Sequence, residues 1–199
     1  IIPANSLAGG GYAVDNSLRF DDGSSDYLTK TFGSAGNRKT WTFSGWFKRG
    51  NLTGANQDFL SVSSGASTFH ILYFDYNDQL TFNYNSSNVV RPLRRYKDMS
   101  AWYHIVIAQD TTQATSSNRV KIYVNGVEET AFDSTAYPSL NADLGINNNV
   151  RHDISNAGAY YSNNFYYNGY QSDTYFIDGQ ALTPTDFGEF DEDSGIWKP

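Results

Sequence analysis

Apolar side chains recur at alternate positions along most of this chain, in short runs separated by Gly, Asn, Asp and Ser. A two-residue period sends successive side chains to opposite faces of an extended strand, so the pattern predicts β-structure. Leu18 and Phe20 lead into a turn at Asp21-Asp22-Gly23, and Tyr27 to Phe32 follows as a strand. Thr40 to Lys48 alternates Trp41, Phe43, Gly45 and Phe47 with Thr42, Ser44, Trp46 and Lys48. Large residues on both faces predict a central strand covered on both sides, with Gly45 marking a bulge or a close backbone approach. Further strands are expected at Asp58 to Val62, Phe69 to Phe74 and Gln79 to Tyr84, with a hairpin tip at Asn77-Asp78. Ala101 to Gln109 reads as a second central strand, and Arg119 to Val124 puts Val120, Ile122 and Val124 on one face. Asn125-Gly126 predicts a type I′ hairpin, because both central positions need positive φ, and Val127 to Thr130 should return antiparallel. Residues 136–164 lack periodicity and predict long loops around at most two short strands. Phe165 to Tyr170 and Gln171 to Ile177 close the pattern, with a turn at Asp178-Gly179. Thr183, Pro184 and Asp186 then have the order of an N-cap, a first helical position and a third.

Composition agrees with strands. Fifteen Tyr and 13 Phe stand beside many small polar turn residues, and stretches of good helix formers are missing. A length of 199 residues suits one domain, and no internal repeat is visible. With no cysteine there is no disulfide framework and no thiolate zinc site. A net charge of -7 argues against nucleic acid as a partner. The one basic cluster, Arg91, Arg94, Arg95 and Lys97, reads as a solvated loop. No apolar run reaches the ~20 residues of a membrane-spanning helix, so membrane insertion is not expected. Starting at Ile1 without methionine, the sequence reads as a processed product or a piece of a longer chain.

Four segments, in order, resemble the laminin-G-like or pentraxin-like branch of the concanavalin-A-like lectin/glucanase superfamily. They are Ser17 to Gly23 with Asp26-Tyr27-Leu28; Trp41 to Lys48; Trp102 to Ile107 with Val120 to Gly126; and Tyr167 to Tyr170 with Asp178 to Thr183. The resemblance implies an all-β, antiparallel two-sheet jelly-roll sandwich over residues 17–188, a lead-in at 1–16 and an acidic tail or linker at 189–199. The Asn, Ser and Tyr richness and the ending Phe187-Gly188-Glu189-Phe190 to Gly195-Ile196-Trp197 look like domains of marine bacteriophage structural proteins. That likeness implies an extracellular or virion-surface location, with a glycan or cell-surface polysaccharide and other virion subunits as partners.

A catalytic reading draws on Glu189-Phe190-Asp191-Glu192-Asp193, since laminarinase-type relatives carry spaced carboxylates on one strand. Here the second Glu of that pattern is absent and the run follows the closing strand, so it reads as tail, and no enzyme is expected. His70, His104 and His152 read as structural. Calcium is the cofactor the resemblance implies, with Asp21, Asp22, Asp26 and Asp110 as candidate ligands, although turn capping is the commoner role of such acids. Sugar rings stack on Tyr, and Asn or Arg satisfies hydroxyls. Two segments offer this mixture: Tyr84, Arg91, Arg94, Arg95 and Tyr96 in one, and Tyr160, Tyr161, Asn163, Asn164 and Tyr166 in the other. A decorating role through protein contacts, and less strongly glycan cleavage, are the competing functions.

Overall fold

The computed structural model describes residues 16–63, 69–84, 87–156 and 165–199. The strands are β1 (Leu18–Phe20), β2 (Leu28–Thr31), β3 (Thr40–Arg49), β4 (Gln57–Ser63), β5 (Phe69–Phe74), β6 (Leu80–Tyr84) and β7 (Ser87–Pro92). They continue as β8 (Tyr103–Asp110), β9 (Val120–Val124), β10 (Val127–Glu128), β11 (Phe132–Thr135), β12 (Arg151–Ile154), β13 (Gly169–Asp178), β14 (Glu189–Phe190) and β15 (Trp197–Lys198). All pairings between these strands are antiparallel. One sheet has six strands in the order β1-β13-β3-β8-β9-β10, and the other has seven in the order β11-β7-β6-β5-β4-β12-β2. This is the all-β jelly-roll sandwich that the resemblance implies, built from the strands that the alternation predicts.

The core lies between the sheets. Trp41, Phe43, Phe47, Ile105, Ile107 and Ile122 of the six-stranded sheet meet Phe59, Leu72, Phe74, Leu80 and Phe82 of the other. Phe47 and Phe59 approach to 4.7 Å between ring centroids, and Trp41 meets Phe82 edge-on at 6.1 Å. Strand β3 is buried on both faces, as its composition requires. Gly45 is a close approach: a Cβ there would lie 2.9 Å from the Phe47 ring. The bulge itself is in the neighbouring strand, where β13 loses register between Ser172 and Tyr175.

The Asn125-Gly126 turn has φ of 50° and 80°, the type I′ signature. A side chain at Gly126 would also lie 2.3 Å from the Trp197 ring. Turn and C-terminal hairpin are therefore packed together. The Asp186 carboxylate accepts from the Thr183 amide at 2.9 Å, so the expected short helical turn is present as a 3-10 turn at Pro184–Asp186.

Several expectations are corrected. Residues 189–199 are no tail: β14 and β15 fold back so that Trp197 is only 7% exposed. The Tyr84 to Tyr96 segment is no loop, because it contains β7, which pairs with both β6 and β11. Strand β13 is continuous where two strands were expected. Trp102 is half-buried beside Tyr170. Among the described residues, no helix is long and apolar enough to cross a membrane.

Candidate functional site

Alternation along the seven-stranded sheet decides which polar side chains leave the core. Val62, Leu72, Phe82 and Val90 point inward. Ser61, Ile71, Tyr73, Thr81, Asn83 and Arg91 therefore project from the outer face. The register puts Asp58 opposite Tyr73, and Asp153 opposite Ser61 on one side and Thr29 on the other.

This floor is polar yet screened from water, since Asp58, Ser61, Thr81 and Asp153 are all buried. Among the described residues, Asp58 Oδ2, Thr81 Oγ1, Arg91 Nε and Asp153 Oδ2 are buried without a hydrogen-bond partner. A buried polar atom left unsatisfied costs about 1–3 kcal/mol, so a cluster on one face marks retained hydrogen-bonding capacity. Burial pushes the Asp58 carboxyl well above the ordinary carboxylate range. Asp58→Asn should thus raise stability at pH 7 by on the order of 1 kcal/mol, with the gain shrinking at acid pH. Urea unfolding at both pH values checks this, and an unchanged midpoint at pH 7 would contradict it.

The floor meets an aromatic rim. Phe165 and Tyr166 run alongside the start of β4, where the Asp58 amide donates to the Phe165 carbonyl at 3.1 Å. Tyr166 bridges with Asp58, and because the next residue, Tyr167, is buried in the core, Tyr166 faces outward. Tyr27 stands 6.3 Å from Tyr166, and the Arg151 guanidinium lies over Tyr27 at 5.5 Å. Arg151 Nε donates to Asp153 Oδ1 at 2.7 Å. A cavity of about 370 Å³ opens beside Tyr166, lined also by Asp22, Thr53, Asn56 and Phe165. Two phenol rings, a guanidinium and amide and carboxylate oxygens are thus gathered where rim and outer face join.

The residues singled out in the sequence are distributed unevenly around this site. Tyr166 belongs to it. Arg91 shares the outer face, but β7 lies three strand spacings from β4, ~15 Å away. It pairs there with Asp133 and, at 3.7 Å, with Asp75. Arg94 leans on Glu129 at 3.5 Å, and Arg95 is exposed beyond β7. Tyr84 is half-buried against His70, ring centroids 4.4 Å apart, and packs on the core.

Tyr96 must be withdrawn as a ligand contact. It is 0% exposed, packed between Phe74 and Tyr103, with its hydroxyl donating to Glu129 Oε1 at 3.1 Å. Tyr160, Tyr161, Asn163 and Asn164 lie outside the described residues. Asp58, Tyr27 and Arg151 were missed. Strict alternation places Asp58 with Leu60 and Val62 on the core face, and only the irregularity between Asp58 and Leu60 turns it outward.

The four calcium candidates do not converge. Asp21, Asp22 and Asp26 share one turn, but Asp21 accepts from the Gly23 amide at 3.0 Å and Asp26 from the Asp21 amide at 3.2 Å. Asp22 accepts from the side-chain amides of Asn51 and Asn168, which hold its carboxyl below the ordinary range against the opposing effect of burial. Asp110 pairs with Thr40 at the far end of β3, some 30 Å from the Asp21 turn, and caps Thr112 at 3.0 Å. Among the described residues, no group of three or more His, Cys, Asp or Glu could hold a metal ion. The donors already on these oxygens do not fit calcium.

The acidic run is likewise structural. Glu189 and Asp191 pair with Lys198 at 3.3 and 3.2 Å, and Asp191 caps the turn through the Ser194 amide at 2.9 Å. The three histidines are buried.

Similar proteins share this architecture. The pentraxin of Limulus polyphemus, a heptameric SAP-like protein, superposes with a TM-score of 0.54 at 16% identity, over 80% of this chain and 72% of that one. Domain 4 of the extracellular arabinanase AbnA from Geobacillus stearothermophilus, solved with arabinotriose, gives 0.54 at 18% identity, over 75% and 65%. The CBM40 of the Ruminococcus gnavus IT-sialidase, bound to α2,3 sialyllactose, gives 0.51 at 14% identity, over 80% and 95%. At these identities the likeness is one of fold, the fold of lectins and carbohydrate-binding modules. No curated protein matches the sequence. The family described as the concanavalin A-like lectin/glucanases superfamily matches residues 22–186, and with its two-sheet jelly roll the chain belongs to that superfamily.

Proposed function

We propose that this domain is a non-catalytic glycan-binding module whose ligand lies where the outer face of the seven-stranded sheet meets the Tyr27–Tyr166 rim. The observation carrying the proposal is the pair of outward-facing tyrosines, 6.3 Å apart, beside the Arg151 guanidinium and the cavity lined by Asp22, Thr53 and Asn56. Sugar rings offer apolar C–H faces to Tyr27 and Tyr166, while Arg151, Asp22 and Asn56 suit hydroxyls. The sheet holds these groups rigidly, so little ordering is needed on binding. Display on a virion surface or tail fibre is part of the proposal and rests on the sequence resemblance to bacteriophage structural domains.

A glycan array screened with and without EDTA tests the module. Binding should occur and should survive EDTA, because the rim acids are occupied by amide and hydroxyl donors. Tyr166→Ala and Arg151→Ala should each weaken a hit about tenfold, the usual scale for an aromatic or Arg anchor. An array without hits, or hits untouched by both substitutions, removes this site.

One observation favours a second reading, glycan cleavage. Asp58 and Asp153 project from neighbouring strands on the same face, roughly 8 Å apart at Cα. Asp58 is driven toward its protonated form by burial while Asp153 is ion-paired with Arg151. An acid beside a carboxylate is the arrangement glycoside hydrolysis uses. Reducing-sugar release that disappears in Asp58→Asn would establish it.

A further inference from the structure

The outer face of the six-stranded sheet carries a second cavity, of about 370 Å³, lined by Trp46, His104, Asp173, Tyr175, Asp186, Phe187 and Pro199. Three aromatic walls come from separate parts of the chain. Trp46 projects from β3 and stacks on its cross-strand neighbour His104 at 4.9 Å. Phe187 follows the 3-10 turn and stacks on Tyr175 of β13 at 5.9 Å, while lying 6.3 Å from His104.

The charged lining is one-sided. His104 Nδ1 accepts from the Trp197 indole N–H at 2.9 Å. That bond fixes the proton on Nε2, which then donates to Ser44 Oγ at 2.9 Å. Both ring nitrogens are used, and the imidazole has nothing left for a ligand. The charged lining side chains are Asp173 and Asp186, which accept from the Ser172 and Thr183 hydroxyls at 3.0 Å each, while Tyr175 and Trp46 bring an O–H and an N–H. No lysine or arginine lines the cavity among the described residues.

Asp173 has φ of 44°, a left-handed conformation unusual outside glycine, within the bulge that breaks the β13 register. Bulges re-aim side chains, and this one turns a carboxylate into an aromatic-walled cavity. Ring faces carry negative potential, so rings and carboxylates together attract a positively charged group with apolar surface.

We infer that the Trp46–Tyr175–Phe187 cavity binds an organic ammonium ion, with Asp173 as its counter-charge. The site is separate from the glycan site proposed above and stands or falls independently of it.

The test is a titration of the ¹⁵N-labelled protein with tetramethylammonium chloride, glucosamine and N-acetylglucosamine, following the Trp46 indole N–H resonance. Tetramethylammonium and glucosamine should both shift it in saturable fashion, and the neutral N-acetylglucosamine should bind about tenfold more weakly. Glucosamine alone binding would narrow the ligand to amino sugars and still support the site. Asp173→Asn keeps a residue that tolerates the left-handed backbone and should weaken the cations about tenfold. Tyr175→Ala, at a side chain 44% exposed, should weaken them without threatening the fold. Equal affinity for the neutral sugar, unchanged cation affinity in Asp173→Asn, or no movement of the Trp46 resonance would overturn the inference.

Discussion

Acidification from pH 7 to pH 4 is expected to remove on the order of 5 kcal/mol of folding stability, a large share of the ~5–15 kcal/mol that holds a domain together. All three histidines are buried and accept a hydrogen bond from an N–H group. His70 Nε2 accepts from the Gly145 amide at 3.3 Å, His104 Nδ1 from the Trp197 indole at 2.9 Å, and His152 Nε2 from the Asn147 amide at 3.0 Å. A proton added to any of these nitrogens would face another hydrogen, and the bond would break.

Burial accordingly lowers His70 from 6.5 to about 3, with the Arg38 and His152 charges adding to it. Burial lowers His104 to about 4 against the opposing pull of Asp173, and it also lowers His152. Between these values and 6.5 the unfolded chain binds more protons than the folded one. Stability is therefore complete above about pH 6.5 and declines as pH falls toward 4. Asp22, Asp98, Asp110 and Asp191, whose pKa values are lowered, lose their contributions only below about 3.8, beneath this window. Asp58, raised by burial, works in the opposite direction and offsets part of the loss. Urea unfolding followed by tryptophan fluorescence at several pH values measures the slope, and His104→Gln should flatten it. A stability constant from pH 7 to pH 4.5 would mean that the imidazoles are not held neutral.

Arg49→Ala is expected to cost about 3–5 kcal/mol, the scale for stripping one partner from a buried ion pair. Arg49 ends β3 and is 1% exposed, with its guanidinium over the Phe74 ring at 4.8 Å. It donates to Asp78 Oδ1 and to the Tyr96 carbonyl at 2.8 Å each, and to Gln57 Oε1 at 3.1 Å. One side chain of the six-stranded sheet thus ties down the β5–β6 turn, the start of β4 and the segment after β7. Lys97, exposed and 3.7 Å from Asp78, can recover only a fraction of the charge balance. Arg49→Lys should remain well below wild type, because a single ammonium cannot reach the acceptors that the planar fork spans. Adding Asp78→Asn to Arg49→Met should restore much of the loss, since Asn tolerates the φ of 65° at that position. Denaturant midpoints of the variants decide it. A cost below about 1 kcal/mol for Arg49→Ala would show the pair to be solvated in solution.

Local periodicity sufficed for the strands that line the core and for the tight turns. Trp41 to Phe47 and Val120 to Val124 alternate because one face must leave water, and Asn125-Gly126 adopts the one two-residue geometry its residues favour. Strands β7 and β11 were hidden because β7 carries Arg91 outward, and β11 is a short half-exposed edge strand whose pairing is made by backbone atoms. The acidic ending likewise reads as solvent-loving, and only contact of Trp197 with His104 and Gly126 turns it into part of the domain.

The site separates the two levels most clearly. That tyrosines, acids and arginines would serve a binding surface follows from their chemistry, and the strands follow from the alternation. Which of them meet depends on register: a one-residue slip would turn Asp58, Asp153 and Arg91 into the core. Tyr96 shows the same limit, because a phenol in a basic, polar stretch reads as exposed until Phe74, Tyr103 and Glu129 close around it. Side-chain chemistry and period are properties of the chain alone. The pairing of strands distant in sequence, which sets what each face presents, is decided only when the two sheets pack.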